Sequence, residues 1–176
     1  MFSHPDNNVE HLHIREGWTV ADLGAGVGHY TLAAARKVGT SGKVFSVDVQ
    51  QEMLDVIAGS AHDANVPSVH VVRGDIERRG GTRLRDQSVD AVIVANTFFQ
   101  LDDKAGCVQE VARITKPGGV VLVVDWIDSY KGLGPQPEYI VSPEELEKLF
   151  VEHGFSVRET FDAGEHHFGI LVEKSV

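Results

Sequence analysis

A glycine-rich segment after the first predicted strand carries the clearest chemical signal in this sequence. Gly24, Gly26 and Gly28 form the pattern G-x-G-x-G between an apolar run and a helical run. Glycine adopts positive φ angles and lets the backbone pass close beneath a ligand, and free N–H groups at a helix start favour an anionic group. Several nucleotide-binding families share this arrangement, so alone it indicates a ligand class and no single ligand.

The residues beside these glycines narrow the choice of ligand. A dinucleotide fingerprint requires glycine or alanine where His29 stands. No Gly-Lys-Ser or Gly-Lys-Thr follows, which excludes a P-loop. Asp22, two residues before the first glycine, can meet a cationic amine. The segment therefore favours a ligand with an amino-acid part over one with a pyrophosphate.

Polar side chains also end the next three predicted strands. Asp48 stands where a carboxylate can accept hydrogen bonds from ribose hydroxyls. Asp75 can accept from an adenine amino group, and Asn96 ends the strand at which the strand order is expected to reverse. Open α/β sheets bind ligands in that crevice. Each residue alone is as compatible with an ordinary turn, but together they favour a shared binding site.

Apolar runs alternate with helical stretches along the chain, a pattern typical of an α/β fold with helices on both faces of a mostly parallel sheet. The predicted strands are Thr19–Leu23, Val44–Asp48, Val69–Arg73, Val89–Ala95, Val120–Asp125, Phe155–Phe161 and Phe168–Glu173. The predicted helices are His29–Val38, Gln51–His62, Lys104–Thr115, ended by a turn at Lys116-Pro117-Gly118-Gly119, and Glu144–His153. The last two strands are joined by Asp162–His167, a link short enough only for an antiparallel hairpin.

These segments resemble the successive motifs of class I S-adenosylmethionine-dependent methyltransferases, in particular small, UbiE-like members. The resemblance rests on VADLGAGVGHYT, VFSVDVQ, GDIE, VDAVIVANTFFQL and ITKPGGVVLVVDW, which occur in this order between Trp18 and Asp128. It implies a single domain over residues 1–176. The implied fold is a Rossmann-like, seven-stranded, mostly parallel sheet in the order 3-2-1-4-5-7-6, with strand 7 antiparallel and helices on both faces.

The resemblance also implies S-adenosylmethionine as cofactor and a role for each motif residue. Gly24, Ala25, Gly26 and Asn96 would contact the methionine part, and Asp22 would lie near its amino group. Asp48 would hold the ribose. Val49 would pack on the adenine, and Asp75 and Ile76 would contact the adenine edge.

Aromatic and titratable residues at the same edge of the sheet suggest a substrate pocket. They are Phe98 and Phe99 after the fourth strand, Trp126 after the fifth, and His166 and His167 at the start of the seventh. The alternative is a hairpin turn that happens to contain histidines. If the acceptor arrives protonated, a general base is required, and Asp125 and His166 are the candidates.

Composition excludes several classes of partner. The net charge of −10 and the absence of a basic face disfavour nucleic acid and anionic membrane. No run approaches the ~20 apolar residues of a membrane span, which favours a cytoplasmic protein.

The N-terminal histidines lack metal-ligand spacing, so we expect no metal. Residues 1–17 are predicted to form a partly helical arm that can serve as a substrate lid, or the pocket is completed by a second subunit in a homo-oligomer.

The sequence thus predicts methyl transfer from S-adenosylmethionine to a small-molecule acceptor by direct in-line displacement. Two alternatives stay open at this point. One is a non-catalytic module that binds S-adenosylmethionine, and the other is a nicotinamide-dependent oxidoreductase.

Overall fold

The computed structural model describes residues 3–130 and 132–176, in which strands and helices alternate along most of the chain. The strands are β1 (Thr19–Leu23), β2 (Lys43–Asp48), β3 (Val69–Arg73), β4 (Val89–Ala95), β5 (Thr115–Trp126), β6 (Phe155–Gly164) and β7 (His167–Lys174). The α-helices are α1 (Pro5–Glu10), α2 (His29–Val38), α3 (Gln51–Asp63), α4 (Lys104–Ile114) and α5 (Pro143–Glu152).

All seven strands belong to one sheet in the order β3-β2-β1-β4-β5-β7-β6. The first five pair in parallel, whereas β7 is antiparallel to both β5 and β6. This confirms the predicted fold class and strand order. Because the order reverses between β1 and β4, the loops that follow these two strands separate and leave a crevice at the carboxyl edge.

Helices cover both faces of the sheet. On one face α1 and α2 pack their apolar side chains against β1, β2 and β4, and Val9, Ala34 and Val38 are buried there. On the other face α4 and α5 supply buried residues that include Val108 and Leu146. The central strands are buried on both sides, which explains why their sequences are almost continuously apolar.

The structure has a strand with a bulge where the sequence predicts a turn after α4. The helix ends at Ile114, and β5 begins at once with Thr115, which pairs with Val89. The register then shifts, so that the next pair is Ala91 with Val120 and Lys116–Gly119 form a bulge inside the strand. A bulge accommodates proline and glycine because its extra residues need no ladder partner.

The C-terminal part has the predicted arrangement with a shorter connection. Ser142 caps α5, since its hydroxyl accepts a hydrogen bond from the N–H of Glu145 at 3.2 Å. The hairpin is present, but β6 continues to Gly164 and β7 starts at His167. Residues 165 and 166 alone make the turn, and His166 has a φ of 64°.

The N-terminal segment packs on the body of the protein. Val9 and Leu12 are buried, and the His11 ring stacks on Phe161 of β6 with centroids 3.6 Å apart. Residues 1 and 2 of the predicted arm lie outside the described residues. Within the described part of the chain, no helix has the length and apolar character that crossing a bilayer requires.

Candidate active site

A cavity of about 520 Å³ lies at the carboxyl edge of the sheet, where β1, β2, β3 and β4 end. This volume is typical of sites for small molecules. The wall contains nearly all of the residues predicted to hold the cofactor: Gly24, Ala25, Gly26, Asp48, Val49, Asp75, Ile76 and Asn96. Residues from four separate strand ends thus meet around one space.

The glycine turn between β1 and α2 forms the floor of this cavity. Gly24, Gly26 and Gly28 have φ angles of 68°, 53° and 86°, which favour glycine. The N–H groups of Gly24 and Ala25 donate to the carbonyl oxygen of Val47, which fixes the turn against β2. A Cβ on Gly24 would lie 2.7 Å from Oγ1 of Thr97, so any larger residue at position 24 would require the Thr97 side chain to shift.

Asp48 links the end of β2 to the glycine turn. Its Oδ2 accepts a hydrogen bond from the N–H of Gly26 at 2.9 Å, and its Oδ1 accepts from the N–H of Gln50 at 2.9 Å. Each carboxylate oxygen has a further lone pair. Asp48 can therefore hold its own loop and accept from ligand hydroxyls. Val49 beside it is 53% exposed and offers an apolar surface at the rim.

Asp75 and Ile76 form the wall beyond β3. Oδ1 of Asp75 accepts from the N–H of Glu77 at 3.0 Å, and Oδ2 lies 3.0 Å from Nε of Arg78. Ile76 is buried and faces the cavity with its apolar side chain. A carboxylate beside an apolar side chain suits the polar edge and flat face of a purine.

Glu110 of α4 supports this loop, and sequence reasoning missed it. Its carboxylate accepts from the N–H of Gly80, from the N–H and hydroxyl of Thr82, and from the guanidinium of Arg113. Burial alone would raise the pKa of Glu110, but the hydrogen bonds from Arg113, Thr82 and Gly80 lower it to about 2. The spacing of Glu110 and Arg113 on one helix was the available signal.

Asn96 closes the cavity from β4. Its backbone adopts a φ of 54°, and its N–H donates to the carbonyl oxygen of Val124 at 2.7 Å. The side-chain Oδ1 is buried and has no hydrogen-bond partner among residues 3–130 and 132–176. Buried polar atoms are normally paired, so this oxygen is suited to accept from a ligand amino group.

Asp22 lies beneath the glycine turn and outside the cavity wall. Its Oδ2 accepts a hydrogen bond from the hydroxyl of Thr31 at 2.6 Å, and Thr31 lies 2.9 Å from Oγ of Ser46. Burial raises the pKa of Asp22 to about 6, despite the hydrogen bonds from Thr31. Asp22 is therefore not part of the cavity wall, and its place near a ligand amino group stays a prediction.

Neither predicted candidate for a general base lines the cavity. The buried carboxylate of Asp125 accepts from the backbone N–H of Phe98 at 2.8 Å and of Trp126 at 2.9 Å. It thereby fixes the loop after β4, and burial raises its pKa to about 6. His166 sits in the hairpin turn, where Nδ1 contacts Asp128 and the ring stacks on Tyr130 with centroids 4.6 Å apart.

The two phenylalanines predicted in the substrate pocket lie elsewhere. Phe98 is fully buried in the core and packs edge-on against Phe150, with centroids 6.0 Å apart. The next residue, Phe99, is half-buried and outside the cavity wall. A short 3-10 helix at Phe98–Gln100 turns both rings away and directs Gln100 and Leu101 to the cavity.

Trp126 and His167 line the cavity, and their contact with a substrate stays a prediction. They face each other across the β5–β7 pair, with ring centroids 4.2 Å apart. Nδ1 of His167 lies 2.8 Å from the carbonyl oxygen of Glu165. Its Nε2 is buried with no hydrogen-bond partner among the described residues. Burial lowers the pKa of His167, which favours the neutral ring.

The N-terminal segment completes the wall, together with Tyr30 of α2. Ser3 and Pro5 line the cavity, and Oγ of Ser3 lies 2.6 Å from the Tyr30 hydroxyl. The side-chain amide of Asn8 donates to that hydroxyl at 2.9 Å and to the carbonyl oxygen of Ala163 at 3.0 Å. The sequence indicated a covering arm, but the polar contacts that fasten it depend on tertiary structure.

Charge is distributed unevenly along the cavity. Asp48, Asp75 and Glu77 lie at the β2–β3 end, whereas Trp126, His167 and Tyr30 lie at the other. Among the residues that the structure describes, no lysine or arginine lines the cavity, and no group of three or more His, Cys, Asp or Glu could hold a metal ion.

Comparison with known proteins agrees with this geometry. A family model described as a methyltransferase domain matches residues 21–123, which is more than half of the chain. Demethylmenaquinone methyltransferase of Staphylococcus aureus is 28% identical over 117 residues, covering 66% of this chain and 46% of that protein. The chain spans about half the length of the curated relatives it matches.

Solved structures show the same fold over nearly the whole chain. A SAM-dependent methyltransferase from Aquifex aeolicus superposes with a TM-score of 0.87 at 27% identity, covering 98% of this chain and 90% of that one. The [4+2]-cyclase SpnF superposes with a TM-score of 0.83 at 16% identity, covering 98% and 80%. The likeness to SpnF concerns the fold alone.

Proposed function

Since this chain belongs to the methyltransferase domain family, and so to the class I S-adenosylmethionine-dependent methyltransferases, we propose that it methylates a small, uncharged organic acceptor. S-adenosylmethionine is the cofactor of this family. The observation that carries the proposal is the meeting of the glycine turn, Asp48, Asp75 and Asn96 around one cavity.

The residues present fit this cofactor. The glycine turn leaves room for the methionine part, because Gly24 and Gly26 carry no Cβ atom, and the unpaired Oδ1 of Asn96 can accept from its amino group. Asp48 would hold the ribose hydroxyls with its remaining lone pairs. Val49 and Ile76 offer apolar contact to the adenine, and Asp75 can accept from its amino group. Asp22 acts indirectly, by supporting the turn from below.

When bound, S-adenosylmethionine supplies a methyl group made electrophilic by a positively charged sulfur. The protein's part is to hold the acceptor in line with that methyl and to exclude water. The acceptor would lie between Trp126, Tyr30 and His167, which form the aromatic end of the cavity. Ser3 and Pro5 cover this end from the N-terminal side.

The lining also favours an acceptor without net charge. An anionic acceptor would lack a lysine or arginine partner in the described wall, and burying an unpaired charge is costly. The aromatic rings suit a flat organic molecule. The name of the Staphylococcus aureus relative, demethylmenaquinone methyltransferase, supports an organic acceptor of this general kind. The two alternatives left open by the sequence gain no support from the cavity or the relatives.

Calorimetry and methyl transfer test the proposal together. We expect S-adenosylmethionine and S-adenosylhomocysteine to bind with one site per chain, and NAD to give no heat. Radiolabelled methyl from S-adenosylmethionine should pass into the uncharged fraction of a small-molecule extract, and the Asp48→Asn variant should lose this transfer. Binding without transfer to any fraction would instead favour the non-catalytic module, and binding of NAD alone would favour the oxidoreductase.

A further inference from the structure

The ring of His167 is held in one tautomer. Nδ1 lies 2.8 Å from the carbonyl oxygen of Glu165, and a carbonyl oxygen can only accept a hydrogen bond. Nδ1 must therefore carry the hydrogen. In the neutral ring Nε2 is then a lone-pair acceptor with no hydrogen of its own.

Nothing in the described protein uses this lone pair. Nε2 is buried, and residues 3–130 and 132–176 supply it with no hydrogen-bond partner. His167 is also one of the residues that line the cavity, and its ring packs against Trp126. An unpaired buried acceptor destabilises a fold, so its presence in a cavity wall points to a partner that arrives with a ligand.

We propose that Nε2 of His167 binds a hydroxyl of the methyl acceptor and takes its proton as the methyl group is transferred. This proposal rests on the proposed function and adds to it the group that moves the proton. The two general-base candidates predicted from the sequence are already engaged: Asp125 accepts two backbone N–H groups, and His166 contacts Asp128.

The step balances in atoms and charge. The acceptor's O–H bond breaks, its proton goes to Nε2, and the oxygen's electron pair forms the new bond to the methyl carbon. The electron pair of the broken carbon–sulfur bond stays on sulfur, which becomes neutral. The positive charge thus passes from sulfur to the His167 ring, which returns the proton to solvent after product release.

The surroundings of His167 keep the ring neutral and able to receive that proton. Burial lowers its pKa, the Glu165 carbonyl opposes this shift, His166 adds to the lowering and Asp128 opposes it. The ring therefore enters the reaction unprotonated at neutral pH, as a general base must.

Nitrogen NMR on protein labelled with ¹⁵N-histidine tests the tautomer directly. The chain has nine histidines, and the His167→Asn variant identifies which resonances belong to His167. We expect Nδ1 protonated and Nε2 bare at neutral pH. A protonated Nε2 would overturn the proposal, and this is read from the wild-type spectrum once the His167 resonances are assigned.

Two matched ligands then test the contact with a hydroxyl. The probes are 1-naphthol and 1-methoxynaphthalene, added to protein saturated with S-adenosylhomocysteine. We expect the Nε2 resonance of His167 to shift with 1-naphthol and to stay in place with the methoxy compound. Equal shifts from both probes, or no shift from 1-naphthol, would overturn the proposal.

Variants separate this proposal from the proposed function. Asparagine at position 167 keeps an N–H near the Nδ1 position and lacks Nε2, and His166→Asn is the matched control beside it. We expect His167→Asn to bind S-adenosylhomocysteine like wild type but to bind 1-naphthol at least about tenfold more weakly, with His166→Asn unchanged. Equal 1-naphthol affinity in the two variants overturns the role of His167. Absence of S-adenosylhomocysteine binding in the wild type overturns the proposed function instead.

Discussion

Oδ2 of Asp48 accepts a hydrogen bond from the backbone N–H of Gly26 at 2.9 Å, which ties the end of β2 to the glycine turn after β1. The glycine turn, which would hold the methionine part of the cofactor, and the end of β2, which would hold its ribose, are therefore joined in the absence of a ligand. Preorganisation of this kind lowers the cost of ordering the site on binding.

Asp48→Asn tests this link. The amide can satisfy only one of the two N–H donors, Gly26 or Gln50, and it accepts ribose hydroxyls less strongly than a carboxylate. We expect the affinity for S-adenosylhomocysteine to fall about tenfold to a hundredfold, measured by calorimetry. The exposed Asp63→Asn on α3 is the control and should bind normally. Equal affinities for the two variants would contradict the assigned role.

Gly24→Ala tests the close approach of the β1 and β4 loops. The new methyl group would meet the Thr97 side chain at 2.7 Å in a backbone with a φ of 68°. Gly118 has a φ of 73° with no atom within 4 Å of a Cβ, so Gly118→Ala carries the backbone strain alone. We expect Gly24→Ala to lower the free energy of unfolding by about 1–3 kcal/mol more than Gly118→Ala in urea denaturation. Adding Thr97→Ala should recover part of that difference, and no recovery would argue against crowding as the cause.

Asp22→Asn tests the buried carboxyl under the turn through the pH dependence of stability. The pKa of Asp22 is raised from 3.8 to about 6 in the folded state. Its stabilisation is therefore full below the unfolded value and is lost as pH rises through about 6. Relative to Asp22→Asn, the wild type should lose up to about 3 kcal/mol of unfolding free energy between pH 4 and 7. Asp125, whose pKa is also about 6, is present in both proteins and cancels. A difference that does not change with pH would refute the raised pKa.

Glu110→Gln tests the support beneath the Asp75 loop. The amide cannot accept from Gly80, Thr82 and Arg113 together, so we expect a loss of about 2 kcal/mol of unfolding free energy at neutral pH.

This loss should depend on pH. Because the pKa of Glu110 is lowered from 4.5 to about 2, the stabilisation by its carboxylate is present above pH 4.5 and is lost as pH falls toward 2. The effect of the substitution should shrink over that range. Asp86→Asn, which removes only the exposed partner of Arg113, is the control and should change stability by less than about 0.5 kcal/mol. Equal losses of unfolding free energy from Glu110→Gln and Asp86→Asn would show that the contacts of Arg113, and not the hydrogen bonds to the loop at Gly80 and Thr82, stabilise the protein.

The strands and the residues predicted to hold the cofactor could be predicted from the sequence because both are encoded locally, whereas the strand order followed only from the family resemblance. Apolar runs define the strands, and the glycines, Asp48 and Asp75 stand directly at strand ends. The bulge at Lys116–Gly119 was missed because proline and glycines indicate a turn equally well, and only pairing across the sheet distinguishes the two.

The residues predicted to contact the methyl acceptor were harder to place, because their positions depend on the direction that each side chain takes after its strand ends. One turn of 3-10 helix moves Phe98 into the core, and a two-residue hairpin directs His167 inward while His166 contacts Asp128. Neighbouring residues in a strand point to opposite faces. A shift of one position therefore decided which histidine lies in the wall.

The amide of Asn8 joins α1 to the end of β6 across 155 positions of sequence, and His11 adds a stacked contact to the same strand. Segments that share buried contacts of this kind open together in native-state hydrogen exchange. We therefore expect the first helix and the last hairpin to open together in hydrogen exchange, which would also open the aromatic end of the cavity to solvent.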